Sequence, residues 1–273
     1  MNIVPAGQLS VQTLHRYPVK SMLGQCVDEL SVNSCGAHGD RSLALIDRDT
    51  GRVASAKQAR LWRGLLQCSA TVGAAGVQIE TPDGTFAVDD SSIDERLSQY
   101  LGRAVQLIDR RPAGASVERA DPEQVLERGV DAEVDAPLLE LAQATSGESF
   151  TDFAPLHAIT TATLNHVGVE GARYRPNLII ATPPGFPAYA ENDWTGHTLR
   201  IGSVKLAVMG PTPRCVIPTL EHGSLPGAPQ ALRTPVAENR VPAFDFGVLP
   251  CAGCYLEILE PGILRAGDSI ELE

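Results

Sequence analysis

The sequence predicts a β-rich α+β protein with an N-terminal β-barrel-like domain and a C-terminal β-barrel that carries a few helices. Short β-rich runs separated by turn residues dominate the chain. Few segments have helical periodicity, and no repeat occurs with a period of about 20–50 residues. Because many short strands are combined with few helices, a barrel is favoured over a doubly wound α/β sheet.

The N-terminal half contains most of the predicted strands. Turn signals rich in Asp and Gly, such as those at 49–51 and 82–84, separate the runs. The predicted strands of this half are 9–16, 27–32, 42–47, 67–72, 77–80, 85–88 and 105–109.

Two helices are predicted with defined ends. Over 92–102, apolar residues recur every four positions, a serine at 91 or 92 can cap the start, and Gly102 can end the helix. Over 161–167, Thr160 can act as the N-cap, and Leu164 and Val167 can pack inward.

Residues 110–149 interrupt the pattern, since Pro, Gly, Ala, Asp and Glu crowd this stretch. It is predicted to be an exposed crossover or a poorly ordered loop, with one helix over 136–144. The predicted domains are therefore residues 1–115, a crossover at 116–148, and residues 149–273. The predicted strands of the second half are 178–181, 198–201, 205–209, 253–259 and 269–272.

Composition and charge exclude several classes of partner. The formal net charge is −11, which disfavours binding to phosphate backbones, so no nucleic-acid partner is expected. No apolar run approaches the roughly 18 residues that span a bilayer. The start of the chain has no basic stretch followed by an apolar core, so no export signal is expected. The six cysteines are then expected to be free thiols in a reducing cytoplasm.

Two motifs could bind an anion. YPVKS closes the first predicted strand, where Lys20 beside the Ser21 hydroxyl can offer a charge and a directional hydrogen bond. RYRPN precedes an apolar run, and its arginines at 173 and 175 suit a phosphate or carboxylate. The alternatives are an exposed turn lysine and a surface pair bordering the sheet, and Asn177 can equally satisfy its own turn.

Two cysteine motifs could bind a metal. Cys215 follows an arginine in a proline-rich loop, where positive charge favours the thiolate, although a small inert apolar side chain is the alternative. Cys251 and Cys254 form a CxxC, which can be redox-active or half of a zinc site completed by residues such as Cys215 and His222. An incidental pair is favoured, because the residues after Cys254 have the pattern of a strand.

The motifs together resemble one family over nearly the whole chain. They are YPVKS (17–21), GDRSLALIDRDTGRVASAKQARL (39–61), TDFAPLHAITTATL (151–164), RYRPNLII (173–180), YAENDW (189–194), PRCVIPT (213–219) and EILEPGILRAGD (257–268). In this order they resemble the MOSC superfamily. The similarity is greatest to members with an N-terminal MOSC β-barrel domain, such as the mitochondrial amidoxime-reducing components and their bacterial relatives.

The resemblance implies a molybdenum cofactor, Mo-molybdopterin, with Cys215 as the metal ligand and the catalytic residue. The residues implied to hold the cofactor are Lys20, Ser21, Arg41, Asp152, Arg175 and Asn177. Pyridoxal phosphate binding is a further family attribute. A soft thiolate suits a metal that is also bound by dithiolene sulfurs, and Lys, Arg and hydroxyl groups suit the phosphate.

The implied activity is that of a molybdenum-dependent oxidoreductase that reduces N-hydroxylated small molecules. Since the chain ends at Glu273 without an appended iron–sulfur domain, electrons are expected from a separate flavin, iron–sulfur or cytochrome protein. The alternatives are a sulfur transferase with a persulfide on Cys215 and a non-catalytic cofactor carrier. The loop 220–227 departs from the family pattern beside Cys215, which leaves the substrate open.

Overall fold

The computed structural model describes residues 8–273, so residues 1–7 of the predicted first domain, with most of the segment examined for an export signal, lie outside it. The strands of the described range are β1 Leu9–Arg16, β2 Gln25–Val27, β3 Glu29–Asn33, β4 Gly36–Ala37, β5 Ala44–Asp47, β6 Ser69–Gly73, β7 Gly76–Thr81, β8 Gly84–Ala87, β9 Val105–Ile108, β10 Ser116–Glu118, β11 Leu138–Glu140, β12 Leu156–Thr160, β13 Leu178–Ala181, β14 Thr198–Ile201, β15 Val204–Pro213, β16 Arg240–Pro242, β17 Val248–Glu260, β18 Gly262–Arg265 and β19 Ser269–Leu272. The helices are α1 Ala59–Trp62, α2 Ile93–Leu101, α3 Pro122–Arg128, α4 Thr161–Val167 and α5 Gln230–Glu238.

Seven strands close a barrel in the order β12, β13, β1, β19, β14, β15 and β17, with β17 pairing back to β12. All neighbours are antiparallel except β12 and β13. Alternate residues of these strands point inward, so Leu206, Val208 and Leu256 are buried together in the barrel core. The β-rich fold class predicted from the sequence, with two barrel-type parts and a few helices, is confirmed.

The first strand of the chain belongs to this C-terminal barrel. β1 pairs with β13 on one side and with β19 on the other, and Leu9, Val11 and Leu14 enter the barrel core. β3 likewise pairs with β18. The domain bounds given above stay a prediction; the strand pairing shows that the two parts of the chain share one barrel.

The remainder of the N-terminal part forms a second core. β5 pairs with β9, and β6, β7 and β8 form an antiparallel meander. These sheets enclose a separate apolar cluster that includes Trp62, Leu65, Ile79 and Leu97. Helix α2 covers this cluster through Leu97, as its four-residue spacing predicted.

The two predicted helices with defined ends are present. In α4 the Thr160 hydroxyl accepts a hydrogen bond from the Thr163 amide, and Leu164 and Val167 are buried. Helix α2 ends at Gly102, which has a left-handed φ of 66°. Ser92 occupies the N-cap position of α2, as predicted, but its side chain makes no capping bond and instead donates to Asp90.

The crossover contains more structure than the sequence analysis predicted. The predicted helix over 136–144 was wrong: this region holds strand β11, which pairs with β10. Helix α3 follows Asp121, whose side chain accepts hydrogen bonds from the Glu123 and Gln124 amides. Helix α5 was also not predicted, because Pro235 lies inside it.

No helix within residues 8–273 is both long and apolar enough to cross a bilayer.

The position of β1 leads to a stability prediction. Leu14 is fully buried in the barrel core, whereas Gln12 on the same strand is exposed. We expect Leu14→Ala to lower the free energy of unfolding by about 2–5 kcal/mol, because it opens a cavity where β1 joins the barrel. The control Gln12→Ala should change it by less than about 0.5 kcal/mol. Chemical denaturation followed by tryptophan fluorescence measures both; equal effects would contradict the assignment of β1.

Candidate functional site

One cavity of about 150 Å³ collects side chains from both parts of the chain and from the crossover. The YPVKS turn, the start of β12, the residues before β13 and the end of β15 all contribute to it. All seven predicted site residues line it, namely Lys20, Ser21, Arg41, Asp152, Arg175, Asn177 and Cys215. The structure thus brings the predicted residues together, while the role of each stays a prediction.

The lining is strongly cationic. Its basic residues are Lys20, Arg41, Lys57, Arg119, Arg173, Arg175 and Arg214, and its acidic residues are Glu140 and Asp152. In a chain with a net charge of −11, this local excess of positive charge requires a specific cause. Buried cations are costly unless they are paired, so the cavity is suited to an anionic ligand.

Asp152 joins two lysines. One carboxylate oxygen, Oδ1, lies 2.6 Å from Nζ of Lys20 and 3.0 Å from Nζ of Lys57. Although burial favours the neutral acid, the two ammonium groups hold the pKa of Asp152 well below its ordinary value. Burial lowers the pKa of Lys20 to about 8, with Lys57 acting in the same direction and Asp152 opposing. Lys20 also donates to the Phe150 carbonyl at 2.8 Å.

Arg41 and Arg175 both contact the ring of Tyr17. The guanidinium carbons lie 4.8 Å and 4.5 Å from the ring centroid, within the range of cation–π attraction. Arg41 is paired with Asp40 at 2.5 Å, and the Arg175 side chain donates to the Met22 carbonyl, also at 2.5 Å. The Nη2 atom of Arg175 is buried without a hydrogen-bond partner among residues 8–273. Burial and the nearby Arg41 charge lower the pKa of Arg175 to about 10.

Backbone strain concentrates around the cavity. Ser21, Arg41 and Arg175 have positive φ values of 65°, 45° and 55°, in the left-handed region that non-glycine residues rarely adopt. Ala142 and Phe244, which adjoin lining residues, have φ values of 54° and 50°. Strain of this kind persists where the surrounding structure enforces it, most often at functional sites.

Cys215 lies just beyond the end of β15, is half-buried and lines the cavity, and it also packs against an apolar cluster that includes Leu66 and Ile217. The preceding residue, Arg214, points into the protein, where Nη2 lies 2.8 Å from Nε2 of His157. Burial, together with the Arg214 and Arg41 charges, holds the pKa of His157 well below its ordinary value. His157 is therefore neutral and accepts this hydrogen bond. The Oγ1 atom of nearby Thr212 is buried and has no hydrogen-bond partner in the part of the chain that the structure describes.

The side chains of two lining residues form hydrogen bonds with the main chain of neighbouring segments. Asn177 donates to the His15 carbonyl at 3.3 Å and accepts from the His157 amide at 3.2 Å, so it ties β1 to β12. Arg173 donates to the carbonyls of Leu220 and Pro226 and so holds the loop 220–227.

The CxxC pair lies within strand β17 rather than at the start of a helix. Cys251 and Cys254 are fully buried; burial raises the pKa of Cys251 to about 11 and that of Cys254 well above its ordinary value. Buried thiols of this kind are unreactive. Within residues 8–273 no group of three or more His, Cys, Asp or Glu side chains is arranged to hold a metal ion.

Several lining residues were missing from the predicted site. Lys57 lies within a family motif but carries no signal of its own. Arg119 belongs to the crossover, and it donates to the Arg214 carbonyl at 3.0 Å. His157 and Tyr255 are register partners on β12 and β17. Their proximity depends on strand pairing, which the sequence pattern did not reveal.

Comparison with known families agrees with this architecture. Residues 8–103 match the MOSC N-terminal beta barrel domain, and residues 147–271 match the MOSC domain. The chain belongs to the MOSC superfamily. The C-terminal match contains six of the barrel strands, β12, β13, β14, β15, β17 and β19, and the N-terminal match includes β1, which completes that barrel.

Individual relatives are distant. The chain is 25% identical over 134 residues to mouse (Mus musculus) "Mitochondrial amidoxime-reducing component 1", a match that covers 45% of this chain and 38% of the mouse protein. Among solved structures, the YUAD protein from Bacillus subtilis is 13% identical, with coverage of 97% and 96% and a TM-score of 0.40. YiiM from Geobacillus stearothermophilus is 15% identical, with coverage of 44% and 54% and a TM-score of 0.31.

The lysine pair leads to a titration prediction. The sequence contains only three lysines, at 20, 57 and 205, so labelled lysine side chains give a simple NMR spectrum. In cofactor-free protein we expect one lysine to titrate near pH 8, since Lys20 is buried. Between pH 8 and 10.5 the unfolded chain then binds more protons, so this group makes the free energy of unfolding rise with pH.

Substitution of Asp152, whose carboxylate contacts Lys20, tests this titration. Asp152→Asn should lower the pKa of Lys20 further, because the attraction that opposes burial is lost. Asp28→Asn, at an exposed position, is the control and should leave the titration unchanged. A Lys20 signal that titrates near pH 10.5 in the unmodified protein would contradict the buried arrangement.

Proposed function

We propose that the cavity binds a molybdenum cofactor and that the chain is a molybdenum-dependent oxidoreductase. The observation that supports this most directly is the meeting of the Cys215 thiol with a cation-rich lining in one cavity of a MOSC protein. The proposed substrates are N-hydroxylated small molecules, in keeping with the name of the mouse relative, and the electrons come from a separate flavin, iron–sulfur or cytochrome protein.

The residues present fit such a group. Arg175 has a buried nitrogen and Thr212 a buried hydroxyl oxygen that no described residue hydrogen-bonds, and an anionic phosphate or a polar pterin edge satisfies groups of this kind. Cys215 supplies the soft thiolate that a sulfur-bound metal prefers. Lys20, Arg41 and Lys57 can balance the ligand's negative charge. When bound, the cofactor supplies two-electron oxygen-atom transfer.

The chain must also supply protons. Reduction of an N-hydroxy group consumes two electrons and two protons, breaks the N–O bond and releases one water. Among the described lining groups with a shifted pKa, Lys20 has the value nearest neutrality, about 8, so its Nζ is still largely protonated at pH 7. Asp152 is held ionised and His157 is neutral, so neither is a suitable proton donor at pH 7.

Metal content tests the binding assignment. Protein from a molybdate-supplemented host should contain about one molybdenum per chain, together with a fluorescent pterin. Cys215→Ala should lower the molybdenum content at least about tenfold, because the protein ligand to the metal is lost. Cys26→Ala, which removes an exposed thiol outside the cavity, should retain it. Stoichiometric molybdenum in Cys215→Ala would refute the ligand assignment.

Turnover tests the reaction. With a chemical reductant in place of the donor protein, the molybdenum-loaded chain should convert a hydroxamate to the amide with one water released per two electrons. Bound molybdenum without turnover of any N-hydroxy compound would instead indicate a cofactor carrier. A cyanide-releasable sulfur on Cys215 without bound pterin would indicate a sulfur transferase.

A further inference from the structure

Four aromatic rings form a continuous cluster beside the cationic lining. Phe153 is its centre, with ring centroids 4.6 Å from Phe244, 5.4 Å from Phe246 and 5.4 Å from Tyr255. The rings are tilted or edge-to-face, the arrangements in which aromatic pairs attract each other. Only 5% of the chain is aromatic, so four rings in one place are a concentrated feature.

The cluster faces the cavity. Phe153, Phe246 and Tyr255 line it, and Phe244 packs behind them. Phe246 is 42% exposed, which is unusual for a large apolar ring that other rings already contact. An apolar surface of this kind inside a concave site is typical of a ligand-binding surface.

Tyr255 connects the cluster to the residues that precede Cys215. Tyr255 and His157 are register partners, with ring centroids 6.2 Å apart. His157 is in turn bonded to Arg214, which immediately precedes Cys215. A ligand ring on the cluster would therefore lie in the same cavity as the proposed metal ligand.

The backbone is adapted to hold these rings in place. Phe244 opens the short 3₁₀ turn before β17 with a φ of 50°, which is strained for a phenylalanine. Opposite it, Gly210 leaves space for the ring: a Cβ atom there would lie 3.2 Å from the Phe244 Cζ atom. Strain at Phe244 and a glycine facing it indicate that the ring positions are specified.

We propose that this cluster is an aryl subsite that binds the aromatic ring of the substrate and so determines specificity. The inference rests on the proposed function, because it assigns a substrate class to the same site. The basic lining repels a cationic ring, so the substrates are neutral or anionic aryl N-hydroxy compounds. Phe246 is the principal specificity residue, since its ring is the most accessible.

The test compares two hydroxamates that share the reacting group. The molybdenum-loaded protein should reduce benzohydroxamate with a higher kcat/KM than acetohydroxamate. Phe246→Ala should lower this preference roughly 2- to 12-fold, the equivalent of one aromatic contact. Phe246→Tyr, which keeps an aromatic ring at this position, should retain the preference for benzohydroxamate. Ile263→Ala is the matched control: Ile263 is equally exposed, at 42%, but lies on β18 outside the cavity lining.

Direct binding measurements distinguish a failure of the aryl subsite from a failure of the proposed oxidoreductase function. Saturation-transfer NMR and calorimetric titration measure hydroxamate binding to the same purified proteins without turnover. Binding of benzohydroxamate that depends on Phe246, without reduction, would overturn the proposed function and support the aryl subsite. Equal reduction of both compounds, with Phe246→Ala matching Ile263→Ala, would overturn the subsite and support the function. Neither binding nor reduction would overturn both.

Discussion

The cavity depends on holding several mutually repelling cations together inside an acidic protein. Two features of the fold offset this repulsion. Asp152 and Asp40 supply negative charge, and main-chain carbonyls accept hydrogen bonds from Lys20 and Arg175. The ring of Tyr17 also contacts both the Arg41 and the Arg175 guanidinium groups. Because these partners do not satisfy every donor, the site remains disposed to bind an anion.

The cations of the cavity come from segments that are far apart in the chain. The cations come from the turn after β1, from the residues before β5 and β13, and from the end of β15, so they meet only when the barrel is closed. The left-handed conformations of Ser21, Arg41 and Arg175 place strained backbone at this meeting point. The barrel packing therefore stabilises a site that is locally unfavourable.

Sequence reasoning predicted the fold class and many of the strands, because short alternating runs and turn residues are local signals, but it missed the barrel strand β12. It failed where local signals conflicted: Pro235 concealed helix α5, and the mixed composition around β11 was taken for a helix. The Asp121 cap before a proline did signal helix α3 and was overlooked.

Residue chemistry alone indicated Lys20, Ser21, Arg175 and Cys215 with alternatives left open, and the family motifs added Arg41 and Asp152 and implied the role of each residue. Lys20, Arg41, Arg175 and Cys215 lie in recognisable motifs, and the structure brings them to one cavity. Arg119 could not have been found in this way, because its motif-free segment reaches the cavity only through the fold of the crossover. The same holds for the aromatic cluster, in which Phe153 lies about a hundred residues before the other three rings and meets them through the pairing of β12 and β17.

Because β1 is a strand of the C-terminal barrel, the C-terminal region is not a complete structural unit without it. A fragment limited to the matched region 147–271 would contain six of the seven barrel strands and would expose the unpaired edges of β13 and β19. Open strand edges are templates for intermolecular pairing and aggregation. Chimeras with other superfamily members should accordingly carry over Leu9–Arg16 with the C-terminal region, because the inherited unit is discontinuous in the chain.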